Sequence, residues 1–147
     1  MRHIRYTLLY IVAVIASMTV TVGCTQNKGY IGDWFGIWRV GSIEIDNEPD
    51  TDYAPPYMYW KFQSKVIQML FVDDESEHTA NFCYGSWEES DGYLTLDFDW
   101  DLSIPPAFTH LGVVSRLKIV RKTGRELYLQ YIDGDGHTIN YKLQKWG

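Results

Sequence analysis

An all-β fold of about eight antiparallel strands is predicted by three observations. Beyond residue 24 no stretch carries the 3.6-residue apolar period of a helix, whereas segment after segment alternates with a period of two. Leu94, Leu96, Phe98 and Trp100 share one face, with Thr95, Asp97 and Asp99 on the other. Leu117 and Ile119 oppose Arg116 and Lys118, and Leu127, Leu129 and Tyr131 share a face, as do Ile139, Tyr141 and Leu143. Finally, turn residues separate the segments: Asp73-Asp74-Glu75-Ser76, Ser90-Asp91-Gly92, Thr123-Gly124 and Asp133-Gly134-Asp135-Gly136. One dry and one wet face per strand suits the wall of a meander barrel and the layer of a sandwich alike.

In chain order, the strands are expected at residues 35–46, 57–63, 65–73, 78–87, 93–100, 115–122, 126–132 and 137–146. A short turn near Ser64 joins the second and third. The exceptional link is 101–113, where Pro105-Pro106 forbids a central strand and residues 108–111 suit one helical turn. This link is the expected lid or rim. Strands two to four are apolar on both faces, so alternation alone leaves open which face turns inward.

Ahead of the strands, Met1-Arg2-His3-Ile4-Arg5 is basic, and residues 7–22 are apolar and uncharged. That run is shorter than the ~20 residues of a spanning helix and fits a signal peptide. Thr21-Val22-Gly23-Cys24 resembles a bacterial lipobox, departing from it in having Thr21 where leucine is usual. The resemblance implies cleavage before Cys24, a diacylglycerol thioether on its sulfur and an acylated, palmitate-type N-terminus. It also implies export in a diderm bacterium, with Thr25 rather than aspartate after the cysteine favouring the outer membrane. The expected organisation is a signal peptide at 1–23, a lipidated N-terminus and short tether at 24–32, and one barrel domain at 33–147. With Cys24 lipidated, Cys83 has no disulfide partner, and its apolar setting (Phe82-Cys83-Tyr84) predicts a buried, inert thiol.

Gly36-Ile37-Trp38 opens the first strand, just after a segment suited to a helical turn. A Gly-x-Trp at that place, followed by an eight-strand meander, resembles the calycin pattern of lipocalins and fatty-acid-binding proteins. With Cys24 upstream it is most similar to small bacterial lipocalin-like lipoproteins. The resemblance implies an up-and-down barrel whose floor is closed by Trp38, with a basic side chain of the last strand packed over it. Lys145 has the right parity, because first and last strands of a closed meander pair antiparallel. With Trp38 inward, the expected lumen holds Val40, Met58, Trp60, Phe62, Leu70, Phe82, Tyr84, Leu96, Phe98, Leu129 and Tyr131.

No catalytic set emerges. His78, His110 and His137 lack metal-ligand spacing, and His78 and His110 read as surface residues. No nucleophile-elbow pattern surrounds a serine, and the Asp133–Gly136 stretch lacks the glutamate of a calcium loop. No cofactor, no metal and no enzyme activity are expected. Loss of Arg2 and Arg5 with the signal peptide takes the formal charge from −6 to −8, which argues against nucleic acid or anionic lipid as partners of the domain. Two functions fit. One is a membrane-tethered carrier of a small hydrophobic molecule, with Tyr84 or Tyr131 as a polar handle. The other is a non-enzymatic envelope scaffold with a filled barrel, docking through Tyr57, Tyr59, Ile67, Met69 and Phe71.

Overall fold

The computed structural model describes residues 29–53, 58–72, 80–98 and 105–147. Cys24, the signal segment, Tyr57 and His78 lie outside the described residues. Eight long strands form a closed antiparallel barrel: β1 (Gly36–Ile45), β3 (Met58–Gln63), β4 (Val66–Val72), β5 (Ala80–Ser90), β6 (Tyr93–Asp97), β7 (Val114–Lys122), β8 (Glu126–Ile132) and β9 (Thr138–Trp146). Neighbours in sequence pair in turn, and β1 closes the ring against β9 with Trp38 opposite Lys145. The sandwich alternative is thereby removed, since one ladder runs unbroken through all eight.

A two-residue strand absent from the prediction, β2 (Glu48–Pro49), folds back on the end of β1. Its turn is Asp46-Asn47, both in the left-handed region (φ 51 and 67), which Asp and Asn tolerate better than other side chains. Asp46 also ties this turn to the β8–β9 turn. Its carboxylate accepts from Thr138 N–H (2.9 Å) and meets His137 Nδ1 (2.7 Å). The backbone hydrogen bond from Thr138, then that from His137, hold the Asp46 carboxyl below its ordinary value. The same contact, reinforced by the charges of Asp46, Asp133 and Asp135, raises His137.

The signs define a window. The histidine contribution is complete below its ordinary 6.5 and fades as pH rises through the raised value. The aspartate contribution is complete above its ordinary 3.8 and fades as pH falls through the lowered value. The tie is fullest between those two pH values. Asp46→Asn is expected to bring His137 back toward an ordinary histidine in an NMR titration; an unmoved His137 would show that Asp46 is not its partner.

The inner face is apolar and shielded from solvent. Trp38, Val40, Met58, Trp60, Phe62, Leu94, Leu96, Leu117, Leu127, Leu143 and Tyr141 are fully buried. Gly85 lies among them because Phe98 needs its space: a Cβ there would sit 2.7 Å from the Phe98 ring and 2.6 Å from the Asp97 carbonyl. Bulges in β1 (Val40/Ser42) and β7 (Ile119/Arg121) switch the inward parity part-way along each strand. They turn Ile43 inward after Val40, and bring Lys122 rather than Arg121 toward the barrel floor.

Candidate functional site: the barrel interior and its two ends

One end of the barrel is sealed by aromatic rings and two lysines. The 3-10 segment Gly29–Trp34 runs into β1 and places Trp34 beneath Phe62 and Trp87, with ring centroids 5.0 and 5.4 Å away. Trp38 Nε1 donates to the Trp34 carbonyl (3.1 Å). Lys145 reaches across from β9 with Nζ 4.2 Å from the Trp38 ring, and donates to the carbonyls of Asp33 (2.6 Å) and Phe35 (2.5 Å). The backbone itself calls for the glycine of Gly36-Ile37-Trp38. Gly36 has φ 116, and the Lys145 side chain lies 3.5 Å from where a Cβ would stand. A second lysine repeats the arrangement: Lys122 Nζ sits 4.9 Å from the Trp34 ring and bonds Glu89, which also accepts from Trp34 Nε1.

The other end is crossed by the β6–β7 link, whose described part contains the 3-10 turn Ala107–Thr109. Three side-chain contacts fasten it to three walls. Phe108 packs edge-on against Phe71 of β4 (5.5 Å), and Tyr141 of β9 donates its hydroxyl to the Thr109 carbonyl (2.6 Å). His110 Nε2 meets Asp50 Oδ2 at 2.6 Å, just beyond β2. His110 is therefore a half-buried latch and not the surface residue expected, with an Asp50 side chain only 4% exposed. Burial, followed by the nearby Tyr131, Asp133 and Asp50, pushes the Tyr141 phenol above its ordinary value, so it remains a protonated donor. Tyr53 fastens the β1 side of this mouth by donating to the Val40 carbonyl (2.8 Å), beyond Arg39, the last β1 residue paired with β3.

Between the two ends, Met58, Trp60, Phe62, Leu96, Phe98 and Leu129 line the interior as expected, and Tyr131 is half-buried near the mouth. Leu70, Phe82 and Tyr84 do not. The two-residue turn Ser64-Lys65 sets Gln63 opposite Val66, hence Phe62 opposite Ile67 and Trp60 opposite Met69. Opposed residues share a face, so Ile67, Met69 and Phe71 turn inward. The same register carries into β5, where Met69 faces the buried Cys83 and Leu70 faces Phe82 on the outside. Tyr84 is outside too, accepting from the Gln68 amide (2.9 Å). This register also removes the docking strip expected for a scaffold, because Ile67, Met69 and Phe71 are core.

The interior carries little polarity. The Trp60 ring lies 5.6 Å from that of Tyr141, tilted by 49°, and its indole N–H is buried with no hydrogen-bond partner among the described residues. Trp87 Nε1 is likewise unpartnered, but its ring is wedged at the floor between Trp34 and Phe62. Among the described residues, the cations that approach the interior are Lys122 and Lys145, and both are committed at the floor.

In sequence, the lipocalin-like domain family matches residues 18–103, which take in the floor segment and β1 to β6. The chain belongs to that lipocalin-like family. In fold, the lipocalin-like chain is similar to an uncharacterized protein from Bacteroides eggerthii: 14% identity, TM-score 0.58, 77% of this chain and 99% of that one. It is also similar to a lipocalin-like protein from Bacteroides uniformis: 12% identity, TM-score 0.57, 78% of this chain and all of that one. No curated protein matches the sequence.

Proposed function

We propose that this lipocalin-like protein is anchored to an envelope membrane through lipid on Cys24 and carries one small, uncharged, apolar molecule in its barrel. The observation that supports a ligand is the Trp60 indole. A buried N–H without a partner forfeits hydrogen bonds it would make in water, and an acceptor on a bound molecule would restore one. The surroundings favour an apolar body around that acceptor: Met58, Phe98 and Leu129 offer no polar group. They disfavour a carboxylate, because the interior lysines are held at the floor while Asp50 stands at the mouth. Entry and exit would then require the Phe108, Thr109 and His110 contacts to part together.

The test pairs ligands with one chain length and different heads. A medium-chain ketone is expected to bind more tightly than the matching alkane or carboxylate by calorimetric titration. Trp60→Phe keeps a ring in place and removes the donor. It should weaken the ketone by about 3- to 10-fold, the worth of one ordinary hydrogen bond, and leave the alkane unchanged. A carboxylate that binds as well as the ketone, or a ketone indifferent to Trp60→Phe, would refute the assignment.

A further inference from the structure

The strands that were doubly apolar in sequence leave an aromatic face on the outside of the barrel. Direct register places Tyr59 of β3 beside Leu70 of β4, and Leu70 beside Phe82 of β5. Phe82 is 55% exposed and packs edge-on against Tyr84 (5.3 Å). At the other edge Trp146, 51% exposed, reaches over β1 to the Tyr59 ring (5.7 Å). The face is thus continuous from β9 to β5.

Its charge is the reverse of the chain's. The mature sequence is strongly acidic, yet the described outward positions of β3, of β4 and of β5 as far as Ser86 include no acid. Among the described residues, the charged side chains toward the floor end of this face are Lys61 of β3 and Arg39 of β1, whose guanidinium lies 5.2 Å from the Trp146 ring; farther along β1, Glu44 is paired with Lys142 of β9. An exposed Trp146 and half-buried Tyr59 and Tyr84 set near Lys and Arg match the headgroup zone of a bilayer, where amphipathic rings and cationic heads are both satisfied.

The tether points the same way. Only residues 25–28 separate Cys24 from Gly29, where the floor segment begins, so a fully extended link spans at most about 18 Å. Trp146, Arg39 and Lys61 lie toward this floor end, since Ile37 near the start of β1 is opposite both Trp146 and Lys61. We infer that the face built on Tyr59, Leu70, Phe82, Tyr84 and Trp146 rests on the membrane surface that holds the anchor. The inference rests on the anchoring reading above. It differs from the sequence-based expectation that the domain avoids anionic lipid, because the described outward positions of β3, β4 and the first part of β5 carry no acid. Held this way, the barrel would lie on its side, with its mouth open laterally along the lipid surface.

The experiment uses the full lipidated chain in phosphatidylcholine vesicles, with and without phosphatidylglycerol, containing brominated acyl chains that quench nearby tryptophan. Bromolipid should quench part of the emission in wild type, more so with phosphatidylglycerol, and Trp146→Phe should abolish that part. Phe82→Glu keeps the reporter and adds an acid to the face, so quenching is expected to fall by about half. Circular dichroism confirms that both variants are folded. Quenching that is unchanged in either variant would overturn the inference. So would a dimer in solution that Phe82→Glu dissociates while lipid quenching persists, since the face would then belong to a second copy. Flotation of Cys24→Ala separates the two readings: if it floats as wild type does, the anchor fails, while the Trp146 quenching still decides the face.

Discussion

Trp38→Ala is expected to remove about 3–5 kcal/mol of stability, the usual cost of emptying a large aromatic site. Few single changes to this barrel should cost more, because Trp38 is fully buried and several floor interactions converge on it. Its indole supports the Lys145 ammonium at 4.2 Å and donates to the Trp34 carbonyl at 3.1 Å. Loss of the ring leaves that carbonyl without its indole donor and opens a hole beneath the core. Against a typical total of about 5–15 kcal/mol, the variant would be marginal at 37 °C. Trp38→Phe retains most of the packing and loses the N–H, and should cost roughly 1–2 kcal/mol. Denaturant midpoints decide the matter. A Trp38→Ala loss below about 1 kcal/mol would mean that the floor is closed by something other than this tryptophan.

Cys24→Ala is expected to move the protein from the membrane to the soluble fraction and to abolish incorporation of labelled palmitate. The effect should be large because each buried methylene contributes about 0.8 kcal/mol, and two or more chains hold a protein where one alone binds only marginally. The outer aromatic face should give the unlipidated variant at most weak, salt-sensitive vesicle binding. A Cys24→Ala protein that stays in the membrane fraction through an alkaline wash would contradict the lipid anchor.

Most of the wall was legible in the sequence because its strands alternate cleanly and its turns are made of Asp, Gly and Ser. The lysine over Trp38 could be found as well, since meander closure pairs the start of β1 with the end of β9 and parity then selects Lys145. Strands β4 and β5 failed for an identifiable reason. With both faces apolar, hydrophobicity carries no parity, and Leu70 looks as internal as Met69. The missing signal was the turn: two residues at Ser64-Lys65 force Phe62 opposite Ile67, which reverses the assignment of Leu70, Phe82 and Tyr84. Gly85 carried a second clue, as a strand glycine marks a close approach, here that of Phe98.

Other features had no local signature. The bulges that bring Ile43 and Lys122 inward depend on how β1 and β7 meet their neighbours across the barrel. The latch between His110 and Asp50 joins residues far apart in sequence, and neither lies in a recognisable motif. Tyr53 sits in an Asp- and Pro-rich stretch that reads as plain loop, yet it satisfies the Val40 carbonyl beyond the β1–β3 ladder. The outer aromatic face was hidden by the same ambiguity as the lumen. An average charge for the whole domain conceals that the described outward positions of β3 and β4 carry no acid.

If the barrel carries an uncharged apolar molecule, that molecule should leave the membrane with it. Native mass spectrometry of the lipidated chain, extracted from its membrane in a mild detergent, tests this most directly. One neutral small molecule per chain is expected to co-purify, with an occupancy that falls in Trp60→Phe. A chain that is ligand-free under the same extraction, and takes up neither ketone nor alkane when offered them, would contradict that expectation.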